Sequence, residues 1–281
     1  MYQAQITRAH KGAILLLLDQ SGSMADEIIF EGRTTTKAEA LCNAVNGLLE
    51  ELISRCRRER FVGNYFDVGI IGYSASEAKY LLGKGFVNIV DIEAMDTPTK
   101  GRIISRTLPN GESFQAAIEQ RVWVRPEAQG RTPMGAALRM ALRACSSWCK
   151  RNPESFPPVV INISDGEATD LSHDELIALA DNIKAQATKD GNTLLVNIHL
   201  ASEEGDLPLR IYFPSESANP IRNRHLRLLY NISSTLPSIY NESIMELGGS
   251  RPPFRAICHN AAINELVGLL SIGTVSADMI I

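Results

Sequence analysis

Residues 13–24 read Ala13-Ile14-Leu15-Leu16-Leu17-Leu18-Asp19-Gln20-Ser21-Gly22-Ser23-Met24. Six apolar residues end on a carboxylate, and the carboxylate opens a loop in which hydroxyls alternate with other residues. An apolar run without polar alternation suits a strand buried on both faces, the habit of a parallel sheet covered by helices. The run is too short for a secretory apolar core or for crossing a bilayer. No membrane association and a reducing cytoplasmic setting are therefore expected.

Working outward, Leu41, Val45, Leu48, Leu49, Leu52, Ile53 and Cys56 step by three and four, which predicts a helix over about 37–58 after a polar loop. Arg55, Arg57, Arg58 and Arg60 crowd its end, where cations suit the helix dipole without any nucleic acid. Residues 66–73 read as a second buried strand, and 80–92 as an edge hairpin turning at Gly83-Lys84-Gly85. Periodicity then fails from about 93 to 130, where Pro98, Pro109 and Pro126 stand and only 113–121 reads as a short helix. Connections this long in compact domains are usually functional or partly structured. This insertion runs straight into Thr132, so it is expected beside the edge of the sheet that Thr132 serves.

A helix follows from Met134 to Trp148, with Thr132 as its N-cap and Pro133 at its first position. Residues 159–164 read as a buried strand ending at Asp165. Ser172 and Glu175 have capping-box spacing and open another helix, closed by Asp190-Gly191. Strands at 193–200 and 254–259 and helices at 222–230 and 261–272 complete the pattern. Alternating strands and helices predict a doubly wound α/β fold, with a mostly parallel central sheet, helices on both faces and one antiparallel edge strand. With no second composition regime, a single domain over 1–281 carrying an insertion at about 93–130 is expected.

Lysine and arginine total 28 against 32 acidic residues, a net charge of −4, which argues against a protein built to coat phosphate backbones. Five cysteines without framework spacing read as reduced, buried thiols.

In an open parallel sheet, ligands bind at the carboxyl ends of the strands where strand order reverses. Asp19 and Asp165 both stand at such ends, and Ser21, Ser23 and Thr132 join them. Two carboxylates and three hydroxyls make a hard, all-oxygen set suited to Mg²⁺ or Mn²⁺. Singly, each has an ordinary explanation as a turn-former, an N-cap or a polar strand end; the combination at one inferred edge is what singles them out.

Asp19-x-Ser21-x-Ser23, Thr132 and Asp165-Gly166 together resemble the metal-ion-dependent adhesion site of von Willebrand factor A domains. The order of elements is similar to that family over essentially the whole chain. DQSGSM, GRTPMGAAL and VVINISDGE resemble its bacterial intracellular branch, including proteins linked to tellurite-resistance clusters. The interval from Ser23 to Thr132 is longer than in that family, which the insertion explains. The resemblance implies that Ser21 and Ser23 bind the ion through their hydroxyls. Thr132 would join them directly in the ligand-competent state, and Asp19 and Asp165 would act largely through water. It implies a protein-interaction module in which the ion binds a glutamate or aspartate of a partner protein. Such modules serve as adaptors beside a kinase and phosphatase or an AAA+ ATPase.

The alternative is a Mg²⁺-dependent phosphohydrolase. Against it, Ser21 stands where haloacid-type hydrolases carry their second aspartate, and none of the five histidines lies in the site segments. No Gly-x-x-x-x-Gly-Lys loop is present either, so a binding role and not an enzyme is expected.

Overall fold

The computed structural model describes residues 1–30, 33–107, 113–200, 211–216, 224–246 and 251–261. Its main elements are β1 (Gly12–Asp19), α1 (Lys37–Cys56), β2 (Phe66–Ser74), β3 (Glu77–Tyr80), α2 (Met134–Arg151), β4 (Val159–Ser164), α3 (His173–Lys184), β5 (Leu194–Leu200), α4 (Arg224–Ile232) and β6 (Ile257–Ala261). β1 is buried at every position, as its composition requires. It sits inside the sheet, in parallel register with β2 (Leu16 opposite Ile70) and with β4 (Leu16 opposite Ile161).

The strand order is β3-β2-β1-β4-β5-β6. The pairs from β2 through β6 are parallel and β3 is antiparallel at one edge. The two-residue strand Ile211–Tyr212 is antiparallel at the other edge. Alternate residues of β1 feed opposite cores. Ile14, Leu16 and Leu18 pack in one cluster with Leu41, Val45, Leu48 and Leu52 of α1. Leu15 and Leu17 pack in the other with Met134, Leu138 and Cys145 of α2 and Leu176 and Ile183 of α3. This is the doubly wound α/β arrangement. From β1 the chain goes out to β2 and β3, then returns to β4 on the far side of β1, so the carboxyl ends of β1 and β4 flank the switch point.

Three local readings are corrected. The segment expected as a polar loop before α1 holds a hairpin, Glu27–Phe30 paired with Arg33–Thr36, and Thr36 caps α1 by accepting from the Glu39 amide. Residues 80–92 do not fold on themselves: Glu77–Tyr80 and Val87–Asn88 both pair with β2, end to end. The Asn88 side chain then accepts from the Val90 amide and starts the helix Ile89–Ala94 inside the span expected as strand. Finally, 113–121 is a strand, Ser113–Arg121, paired with Thr99–Thr107. Its period-two order, with Ile118 and Gln120 inward and Ala117 and Glu119 outward, outweighs its helix propensity. Ala261, where a helix over 261–272 was expected to start, ends β6 instead, and the rest of that span lies outside the described residues.

The arginine cluster ends in local partners: Arg55 with Glu51, Arg57 with Glu93, and Arg58 over the ring of Tyr65. All five cysteines are buried, and none is in a disulfide. No helix among the described residues is long and apolar enough to cross a membrane.

Candidate metal centre

Asp19 closes β1 and is 1% exposed. Its Oδ1 accepts from the Ser21 amide at 2.9 Å and its Oδ2 from the Ser164 hydroxyl at 2.6 Å, so both oxygens are fixed in place. The chain then makes a short 3₁₀ turn, Gly22–Ala25, anchored by the fully buried Met24. The turn brings Ser21 Oγ and Ser23 Oγ to 3.2 Å from each other. Adjacent oxygens around an octahedral Mg²⁺, with bonds near 2.1 Å, lie about 3 Å apart. Ser23 Oγ also donates to Asp165 Oδ1 at 2.6 Å, joining the loop after β1 to the end of β4.

Thr132 is not the N-cap expected of it. α2 begins at Met134 without a side-chain cap from the residue before it. Its first amides are taken instead by Asp170, whose carboxylate accepts from Gly135 at 3.0 Å and from Ala136 at 2.8 Å. A charged acceptor there also suits the helix dipole. Relieved of capping, the Thr132 hydroxyl has no hydrogen-bond partner among the described residues, although the residue is only 6% exposed. It borders the same small space as Ser23: a Cβ built on Gly166 would lie 3.4 Å from Thr132 Oγ1 and 3.8 Å from Ser23 Oγ. Because Asp170 holds the helix end, Thr132→Ala should spare the cap energy of about 1 kcal/mol. It is expected to lower Mg²⁺ affinity by about tenfold or more, with little change in the metal-free melting temperature, as read by calorimetry and thermal melts.

The end of the insertion arrives at this loop, as its position before Thr132 requires. Gln129 donates its amide to Gln20 O at 2.8 Å, and Gly22 donates to Gly130 O at 3.0 Å. Gly130 has φ +69°, and a Cβ there would meet Ala75 Cα at 2.7 Å, so the crossing needs glycine. The hairpin of the insertion instead lies along α1, through Lys100 with Glu39, Gln120 with Asn43 O, and the Arg121 amide with Glu50.

Three further residues build the centre, and the sequence reading missed them all: Ser164, Asp170 and Lys37. Lys37 is the first residue of α1 and is 1% exposed. Its ammonium lies 2.9 Å from Asp165 Oδ2, a side chain also 1% exposed, and 3.0 Å from Asp26 Oδ2, which is 61% exposed. Burial pulls the lysine's proton affinity down, but hydrogen bonds and charges from Asp165 and Asp26 outweigh it, so the group stays charged. A cation on the first turn of a helix opposes the dipole, and that was the one signal available in sequence.

Burial pushes the Asp19 carboxyl up to about 6, against hydrogen bonds from Ser164 and Ser21, and the Asp165 charge adds to the rise. A carboxyl raised on folding stabilises the protein fully below its unfolded value, and that stability is lost as pH rises through the folded value. Metal-free protein is therefore expected to lose stability between pH 5 and pH 7 relative to Asp19→Asn. Mg²⁺, which needs the carboxylate, should raise the melting temperature more at pH 7 than at pH 5. Paired melts with EDTA or Mg²⁺ read both effects.

The donors suit a hard cation. Among the described residues no group of three or more histidine, cysteine, aspartate or glutamate side chains could hold a metal, so an ion here depends on the hydroxyls. Two hydroxyls at the spacing of adjacent ligands, a third that no described residue engages, and two carboxylates behind them fit Mg²⁺ or Mn²⁺.

No family model matches the chain, and no curated protein does. Among solved structures, it is similar to an uncharacterized membrane spanning protein from Vibrio fischeri, at 16% identity and TM-score 0.29, over 68% of this chain and 71% of that one. It is also similar to a von Willebrand factor type A structure from Catenulispora acidiphila, at 13% identity and TM-score 0.48. That likeness covers 96% of this chain, which spans 43% of the length of the other.

Proposed function

We propose that this chain is a metal-dependent protein-interaction module of the von Willebrand factor A type, a single domain acting in the bacterial cytoplasm. Mg²⁺ would be held by Ser21, Ser23 and Thr132, with Asp19 and Asp165 behind them, and would bind an acidic residue of a partner protein. The observation that carries this reading is the convergence of the five residues at the switch point between β1 and β4, with the Thr132 hydroxyl left free of hydrogen-bond partners among the described residues and bordering the same space as Ser23. The ion supplies a directional Lewis-acid contact for one carboxylate oxygen. The chain's own residues set that contact's strength: neutral hydroxyls nearest the ion leave its charge under-neutralised, and the carboxylates hold it from behind.

A binding role suits the neighbourhood better than hydrolysis. His199 and His259, the histidines on the strands, lie across β5 and β6 with ring nitrogens 3.1 Å apart. An adaptor beside a kinase and phosphatase or an AAA+ ATPase follows from the sequence resemblance. Capture from native bacterial lysate with Mg²⁺ and with EDTA, on wild type and Thr132→Ala, tests the proposal. Proteins retained only by wild type with Mg²⁺ are expected; equal retention in all arms would overturn it. Steady Mg²⁺-dependent turnover of p-nitrophenyl phosphate, lost in Asp19→Asn, would favour the phosphohydrolase.

A further inference from the structure

The centre contains one group that neither a metal ligand set nor the packing of α1 requires. Lys37 could have been an apolar residue at the first turn of the helix; instead a full positive charge is buried there. Burying an ammonium is costly unless it is paired, and here it is paired with the same carboxylate that backs the metal donors. The two oxygens of Asp165 are divided: Oδ1 takes the Ser23 hydroxyl and Oδ2 takes the Lys37 ammonium. Lys37 is also tied to Asp26 twice, through Nζ at 3.0 Å and through its backbone amide to Asp26 O at 3.0 Å. Asp26 and Lys37 thus tie together the ends of the paired strands Glu27–Phe30 and Arg33–Thr36.

From this geometry we infer that Lys37 is a built-in counter-ion that weakens the centre's own hold on Mg²⁺ and leaves the bound ion hungrier for an outside anion. The inference rests on the proposed metal site. Asp19 and Asp165, the buried carboxylates, together carry two negative charges when ionised, while Asp26 is mostly in water. A bound Mg²⁺ alone brings that pair to neutrality; with Lys37 beside it the loaded centre keeps a positive charge that attracts an incoming carboxylate. The lysine shifts the balance from tight metal binding toward metal-dependent capture. It also explains how a buried Asp165 is tolerated by the metal-free protein.

The test is calorimetric titration of Mg²⁺ alone, with Mn²⁺ as a second probe, into wild type, Lys37→Gln, Lys37→Arg and Lys37→Met. Lys37→Gln keeps an N–H donor on a side chain one bond shorter and removes the charge, so it guards against a folding failure in Lys37→Met. Lys37→Gln is expected to bind Mg²⁺ at least about tenfold more tightly than wild type and Lys37→Arg to match wild type, as a loss of like charge near the ion requires. Mg²⁺ should also raise the melting temperature of Lys37→Gln more than that of wild type. A purely structural lysine would give the opposite sign, since loosening the site weakens the metal. Equal or weaker Mg²⁺ binding by Lys37→Gln, with wild type binding normally, overturns this inference and leaves the metal site standing. Binding by Lys37→Gln and none by wild type supports the counter-ion and overturns the proposed function. No binding by any variant overturns both.

Discussion

Asp165→Ala is expected to cost about 3–5 kcal/mol of stability, as measured by urea unfolding in EDTA, because it strands a buried ammonium. Lys37 would lose its contact at 2.9 Å and keep only Asp26, whose side chain is mostly in water and so compensates weakly. The sign of the coupling separates this cause from general loosening. Lys37→Met with Asp165→Ala removes both charges, and the pair should be less destabilised than the single Asp165→Ala variant. A double variant worse than either single one would mean that the ion pair does not govern stability at this edge. Mg²⁺ binding should be lost in Asp165→Ala in either case.

Asp19→Ala is expected to abolish Mg²⁺ binding and metal-dependent partner capture while leaving the metal-free fold nearly as stable as wild type. Two effects on stability oppose each other. The Ser164 hydroxyl and the Ser21 amide lose their acceptor, a cost of about 1–3 kcal/mol if both stay dry. Against that, a carboxyl pushed up to about 6 by burial is a charge the fold is better without at neutral pH. For binding there is no such offset: only Asp165 would remain behind the hydroxyls, with half of its charge engaged by Lys37. The variant should behave as wild type does in EDTA, by calorimetry and by capture alike. Partner affinity unchanged by the substitution would show that the contact does not run through the ion.

The parts of the fold that were legible in the sequence are those whose cause is local. The run 13–18 is apolar on both faces, so it had to be covered on both sides, and β4 fits its expected bounds, Val159–Ser164, residue for residue. The Ser172–Glu175 capping box forms as its spacing requires. Ser21 and Ser23 were legible for the same reason, because an aspartate at a strand end followed by alternating hydroxyls is a pattern within five residues.

What escaped were residues whose role depends on contacts distant in sequence. Asp170 caps a helix that starts 36 residues before it, and nothing near Thr132 announces that its capping duty has been taken over. Lys37 reaches Asp165 across 128 positions. The hairpin Thr99–Thr107 with Ser113–Arg121 was hidden by a contest between propensities: Ser113–Arg121 contains good helix formers in an order that alternates inward and outward. Thr132 shows the distinction most clearly. Its place at this edge of the sheet was legible from motif and position, whereas its release from capping came from Asp170.

The most direct test of the centre is a crystal grown with Mn²⁺ and examined by anomalous scattering at the manganese edge. The expected result is a single peak over Gly166, with the hydroxyl oxygens of Ser21, Ser23 and Thr132 about 2.2 Å away in octahedral geometry and Asp19 and Asp165 in reach through water. Density at the centre without an anomalous peak at saturating Mn²⁺, with the Lys37–Asp165 pair intact and Thr132 turned away, would contradict the metal-dependent reading.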